Sequence, residues 1–134
     1  MNRPLTDAEQ QLIRWMLEHG EPEAKNFLPQ LEQAQVTPWR CACGCASINL
    51  SVQGHPPPSG GIHPIAEFVF GTDADLSGIF VYEQNGVLAG FEVYGLAGDA
   101  PKSLPSPESL RPFSNAAPSV RPSGSVNASN APNG

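Results

Sequence analysis

The chain has 134 residues, a formal charge of −6 at pH 7 and three cysteines, all within five consecutive positions. That length closes one hydrophobic core without covalent staples, and three crowded thiols are unlike the dispersed, even-numbered pairs of a secreted disulfide framework. From Cys41 to Pro101 there is no Lys or Arg, against carboxylates at Glu67, Asp73, Asp75, Glu83, Glu92 and Asp99, so this half of the chain lacks the cations that neutralise a phosphate backbone and no nucleic acid is expected as a partner.

Thr6-Asp7-Ala8-Glu9 has the form of a capping box and predicts a helix over 7–19, with Leu12, Ile13, Trp15, Met16 and Leu17 on its apolar face and His19-Gly20 as its stop. No apolar targeting segment is seen at Met1–Asp7, and no stretch reaches bilayer-spanning length, so a soluble cytoplasmic protein with no membrane partner is expected. Pro22 opens a second helix, with Ala24, Phe27, Leu28 and Leu31 along one face; Pro29 either kinks it or restarts it as a separate short piece.

Beyond Trp39 the period becomes two. Ile48, Leu50 and Val52 alternate with Ser47, Asn49 and Ser51, the pattern of a half-buried strand. Gly54 to Gly61 is a proline-glycine loop, and Ile65 to Phe70 reads as a central strand. Ile79–Glu83 and Val87–Tyr94 flank Asn85-Gly86, a type I′ hairpin signal. With an uninterrupted ladder, Gln84 opposes Val87, Tyr82 opposes Ala89 and Phe80 opposes Phe91. Phe80, Tyr82, Val87, Ala89, Phe91 and Val93 then form the core face, and Ile79, Val81, Leu88 and Tyr94 share the other with Glu83 and Glu92. Ser106–Leu110 offers a last capped turn, anchored by Leu104, Leu110 and Phe113. The expected fold is α+β: one domain over 1–113, with an N-terminal helical pair on a mainly antiparallel sheet of about four strands. Residues 114–134, rich in Pro, Ser, Asn and Ala, read as a disordered tail.

Cys41, Cys43 and Cys45 carry the one sharp chemical signal. Thiolates are zinc donors, but a structural zinc site draws four ligands from two knuckles, and the second knuckle is missing; His63 or His55 is the candidate fourth ligand. A low-pKa redox thiol is the other sharp reading, although only Arg40 lies near in sequence and no Cys-x-x-Cys opens a helix. Small cysteines packed into a turn are the commoner arrangement. Asp73 to Gly78 copies the first half of a calcium loop, but Gln84 stands where the bidentate carboxylate belongs, so a turn is expected instead. No nucleophile sits beside a base and no phosphate-binding glycine loop occurs, so no enzyme is expected.

Trp39 to Ile48, with its Cys-Ala-Cys-Gly-Cys run, followed by Gly78-Ile79-Phe80-Val81-Tyr82, Asn85-Gly86-Val87-Leu88 and Phe91-Glu92-Val93-Tyr94, resembles a family of small bacterial proteins of unknown function over about residues 6 to 113. The resemblance implies a bacterial cytoplasmic α+β domain and no activity. The resulting expectation is a non-enzymatic module that binds a basic protein partner through an acidic sheet face at Glu83, Glu92 and Tyr94, immunity-like in its concrete form. The alternative is a small zinc-binding or thiol-redox module on Cys41, Cys43 and Cys45.

Overall fold

A computed structural model describes residues 1–113; the predicted tail, 114–134, lies outside the described residues. Helix α1 spans Asp7–His19, as its capping box requires: Thr6 Oγ1 accepts from Glu9 N at 3.1 Å, and Glu9 Oε1 accepts from Thr6 N at 2.9 Å. The second helical segment takes the split form. A 3-10 turn, Pro22–Phe27, is followed by a four-residue helix α2, Leu28–Leu31, with Pro29 in its first turn where no N–H is needed. Gln30 of α2 reaches the hairpin, its Oε1 accepting from Leu88 N at 2.7 Å and its Nε2 donating to Gly86 O at 2.9 Å.

The strands are β1 (Arg3–Pro4), β2 (Ala34–Val36), β3 (Ile48–Val52), β4 (His63–Phe70), β5 (Ser77–Gln84), β6 (Val87–Gly95) and β7 (Arg111–Pro112). They form one antiparallel sheet in the order β1-β2-β3-β6-β5-β4-β7. The α+β class holds, but the sheet has seven strands where about four were expected. The four long strands form its centre. The outermost strands are both Arg-Pro dipeptides, too short to show alternation, and proline suits an edge because it offers no donor to a further strand.

The hairpin register corrects the predicted faces. Asn85 and Gly86 have φ of 52° and 82°, as a type I′ turn requires, and Gln84 does pair with Val87. Glu83 then pairs with Leu88 but Tyr82 pairs with Gly90, so Ala89 is the extra residue of a β-bulge. Beyond it Val81 opposes Phe91, Phe80 opposes Glu92 and Ile79 opposes Val93. The slip of one residue exchanges the two faces of β5. Ile79 and Val81 are fully buried with Phe91, Val93, Leu88 and the α1 residues Leu12, Ile13, Met16 and Leu17. Phe80 and Tyr82 lie outside that cluster and share the opposite face with Glu92 and Tyr94, where Tyr82 is still buried and its hydroxyl donates to Asn49 Oδ1 at 2.9 Å.

On that opposite face the Tyr94 ring lies across Gly78, where a Cβ would come within 2.3 Å of it, and its hydroxyl donates to Glu67. Burial and the Glu67 carboxylate push the Tyr94 phenol well above its ordinary range. Val69 and Leu76 pack into a separate small cluster. Among the described residues no helix is long and apolar enough to cross a membrane.

Candidate metal centre

The cysteines occupy the turn that feeds β3. Gly44 N donates to Cys41 O at 3.0 Å, and Gly44, at φ 82°, takes the left-handed conformation that closes the turn. This brings the alternate side chains together. Cys41 Sγ lies 2.9 Å from Cys43 Sγ, Cys45 N donates to Cys43 Sγ at 3.3 Å, and all three sulfurs fall within 4.8 Å of one another. All three thiols are free; Cys43 is exposed and the other two are partly covered.

Contacts from distant segments hold the turn. Ala46 N donates to Pro101 O at 3.1 Å, and Lys102 Nζ donates to Cys43 O at 3.2 Å. Ser47, buried just before β3, has its hydroxyl 3.2 Å from Cys45 Sγ while it accepts from Val93 N of β6 at 2.8 Å. Cys45 is therefore tied to the centre of the sheet. The shared hydrogen bonds divide the thiols. Those with Cys41 and Cys45 push Cys43 up to about 11. Burial opposes ionisation of Cys45, but hydrogen bonds from Ser47 and the neighbouring thiols outweigh it and bring Cys45 down to about 7.

The turn borders a groove of about 580 Å³ whose lining includes Cys41, Cys45, Trp39, Arg3, Arg40 and Lys102. Its charge is the reverse of what the acidic sequence segment implies. Three cations line it against one carboxylate, Glu9, which already accepts from Arg3 Nη1 and Nη2 at 2.9 Å each. Lys102 and Ser47 were not legible as site residues. Lys102 is 59 positions from Cys43, beyond any local spacing rule, and Ser47 differs from the polar alternates Asn49 and Ser51 in being buried and bonded to Val93 N and Cys45, which its sequence position does not show.

The remaining sequence candidates lie elsewhere. His63, at the start of β4, sits between two carboxylates, with Nδ1 2.7 Å from Glu83 Oε2 and Nε2 3.7 Å from Glu23 Oε2. It is paired at the hairpin-tip end of the sheet and does not join the three sulfurs. His55 follows β3 at its far end, where its N donates to Val52 O. Glu83 belongs to the hairpin tip. Burial raises its carboxyl, but the Gly86 N–H at 2.7 Å and His63 prevail and hold it below its ordinary value. Glu83 shares the face of Ile79 and Val81, whereas Glu92 and Tyr94 share that of Phe80, so the bulge separates the residues expected to form one acidic surface. Asp73–Asp75 is a 3-10 turn in which Asp75 Oδ1 accepts from Thr72 N at 2.7 Å and from Thr72 Oγ1 at 2.6 Å.

Comparison of the chain with family models, with curated proteins and with solved structures finds no match.

Proposed function

We propose that the protein is a thiolate module that binds a thiophilic metal ion, zinc in the first instance, through Cys41, Cys43 and Cys45. The mutual approach of the three sulfurs carries the reading. Tetrahedral zinc with Zn–S bonds of about 2.3 Å places its sulfurs roughly 3.8 Å apart, and separations here run from 2.9 Å to no more than 4.8 Å. Small side-chain rotations therefore suffice, on a turn already held by Pro101, Lys102 and Ser47. Zinc with three thiolates retains one negative charge, which Lys102 and Arg40 offset. Three ligands with an open side, beside a core closed by its own side chains, suit an ion that exchanges more than one that scaffolds the fold.

The test is competition with a chromophoric chelator under reducing conditions. The wild-type chain is expected to take up one zinc ion, and the C41S/C43S/C45S variant none while retaining its circular dichroism spectrum. Competition by the wild type no better than by the triple variant would remove the proposal.

A second reading, the protein-interaction module, rests on the face that carries Phe80, Tyr82 and Tyr94 with Glu67 and Glu92. A groove of about 320 Å³ runs there between Trp39, Ile62, Tyr82 and Glu92, and β3 to β6 contribute no Lys or Arg to it. Aromatic rings beside carboxylates suit a cation-rich protein segment. Salt-sensitive retention of such a partner, lost in E67K/E92K, supports this reading; retention unchanged by the reversal counts against it.

A further inference from the structure

Resting on the metal reading, we propose that the groove beside the cysteine turn binds a small thiol that also carries a carboxylate, and that its sulfur supplies the fourth ligand to the ion held by Cys41, Cys43 and Cys45.

The first observation is that the donor set is incomplete. Thiophilic sites of this kind take four ligands, and among the described residues no further His, Cys, Asp or Glu donor atom joins the three sulfurs. The fourth position is therefore left to solvent or to a ligand that the adjoining groove admits. The second is where the open side leads: Cys41 and Cys45 line a groove of about 580 Å³, within the range that encloses a small molecule. Trp39, 46% exposed, gives that groove an apolar wall.

The third observation is charge. In a chain of net charge −6, the groove gathers Arg3, Arg40 and Lys102. Glu9 engages Arg3 through both of its carboxylate oxygens. Arg40 and Lys102 have no carboxylate partner among the ion pairs of the described residues, and Lys102 Nζ stands over the turn, 3.2 Å from Cys43 O. Two cations without a carboxylate partner beside an anionic tri-thiolate site fit a ligand that brings further negative charge. A fourth thiolate takes the centre to −2, and a carboxylate on the same molecule meets a guanidinium or ammonium group in a charge-assisted hydrogen bond. On binding, the incoming thiol releases its proton to the buffer and its sulfur replaces solvent on the ion, with no change of oxidation state. A neutral thiol lacks the second contact, and a simple carboxylate lacks the first.

The experiment uses the full chain loaded with zinc, titrated calorimetrically with 3-mercaptopropionate, 2-mercaptoethanol and propionate, with native mass spectrometry reading zinc and ligand together. 3-Mercaptopropionate is expected to form a one-to-one ternary complex about tenfold or more tighter than either other probe, the worth of one charge-assisted contact. R40M/K102M should bring it to the level of 2-mercaptoethanol, and K102R should keep most of the preference. Both positions are exposed, and because Lys102 also holds the turn through Cys43 O, the comparison is made on variant protein that native mass spectrometry shows to carry one zinc ion. Equal binding of the three probes to zinc-loaded protein, or removal of zinc by 3-mercaptopropionate without a ternary complex, overturns the inference while the metal reading stands. Failure of the chain to load zinc at the outset overturns both.

Discussion

Gly90 of β6 stands so close to Ile48 of β3 that a Cβ on Gly90 would lie 2.3 Å from the Ile48 carbonyl oxygen. With φ at 149°, Gly90 combines a backbone conformation that side chains rarely adopt with a contact that leaves no room for one. It follows Ala89, the extra residue of the bulge, and forms with Tyr82 the first pair of the shifted register.

Gly90→Ala is expected to destabilise the fold by about 3 kcal/mol or more, joining backbone strain of about 1–3 kcal/mol to a clash with backbone that cannot swing aside. Gly86, at φ 82° but with open space around it, should lose only about 1–2 kcal/mol on the same change. Urea denaturation of the two variants makes the comparison. Equal losses would show that Gly90 matters for its φ alone.

The separation of Glu83 from Glu92 gives a second test of the register. Glu83→Lys removes the carboxylate that accepts from Gly86 N and faces His63, and should cost about 1 kcal/mol of stability. Glu92 is exposed on the opposite face, so Glu92→Lys should stay within about 0.5 kcal/mol. A similar cost for both would contradict their placement on opposite faces.

Ser47 links the candidate site to the sheet. Ser47→Ala leaves the buried Val93 N–H without its acceptor and frees Cys45 from its neighbour. The expected loss is about 1–3 kcal/mol in denaturant unfolding, with zinc affinity down by about tenfold or more, as for other residues that orient a ligand. Unchanged zinc affinity would show that Cys45 needs no help from Ser47.

Glu9 sets a pH dependence. The Arg3 guanidinium is the largest influence and, together with the Thr6 N–H, holds the Glu9 carboxyl below its ordinary value despite burial. A folded-state value below the unfolded one of about 4.3 means that this stabilisation is complete above that pH and is lost as pH falls through the folded value. At pH 7 Glu9→Gln should cost about 2 kcal/mol, and the gap from wild type should narrow steadily below about pH 4.3. Chemical denaturation at pH 7 and pH 3 measures it; a gap independent of pH would sever Glu9 from acid stability.

What could be read in the sequence was local. The capping box at Thr6–Glu9, the alternation of Ile48, Leu50 and Val52, and the Asn85-Gly86 turn each specify their own geometry within a few residues, and each formed as expected. The bulge did not show, because the need for Gly90 comes from Ile48 across the sheet; a glycine inside a strand was the available signal. The Arg-Pro edge strands were too short to have a period. At the candidate site the spacing of the cysteines was visible, but their electrostatic setting was misread from the acidic segment that follows them. Arg3 and Lys102 arrive through tertiary structure and make the groove cationic.

The most direct measurement is the visible spectrum of the reduced protein titrated with cobalt(II), because thiolate-to-cobalt charge-transfer absorption grows with the number of sulfurs bound. The expected result is saturation at one cobalt per chain, with an intensity that falls by about a third in each of C41S, C43S and C45S, as the loss of one of three sulfur ligands requires. A wild-type spectrum indistinguishable from that of C41S/C43S/C45S would contradict the proposal that the three cysteines hold one metal ion.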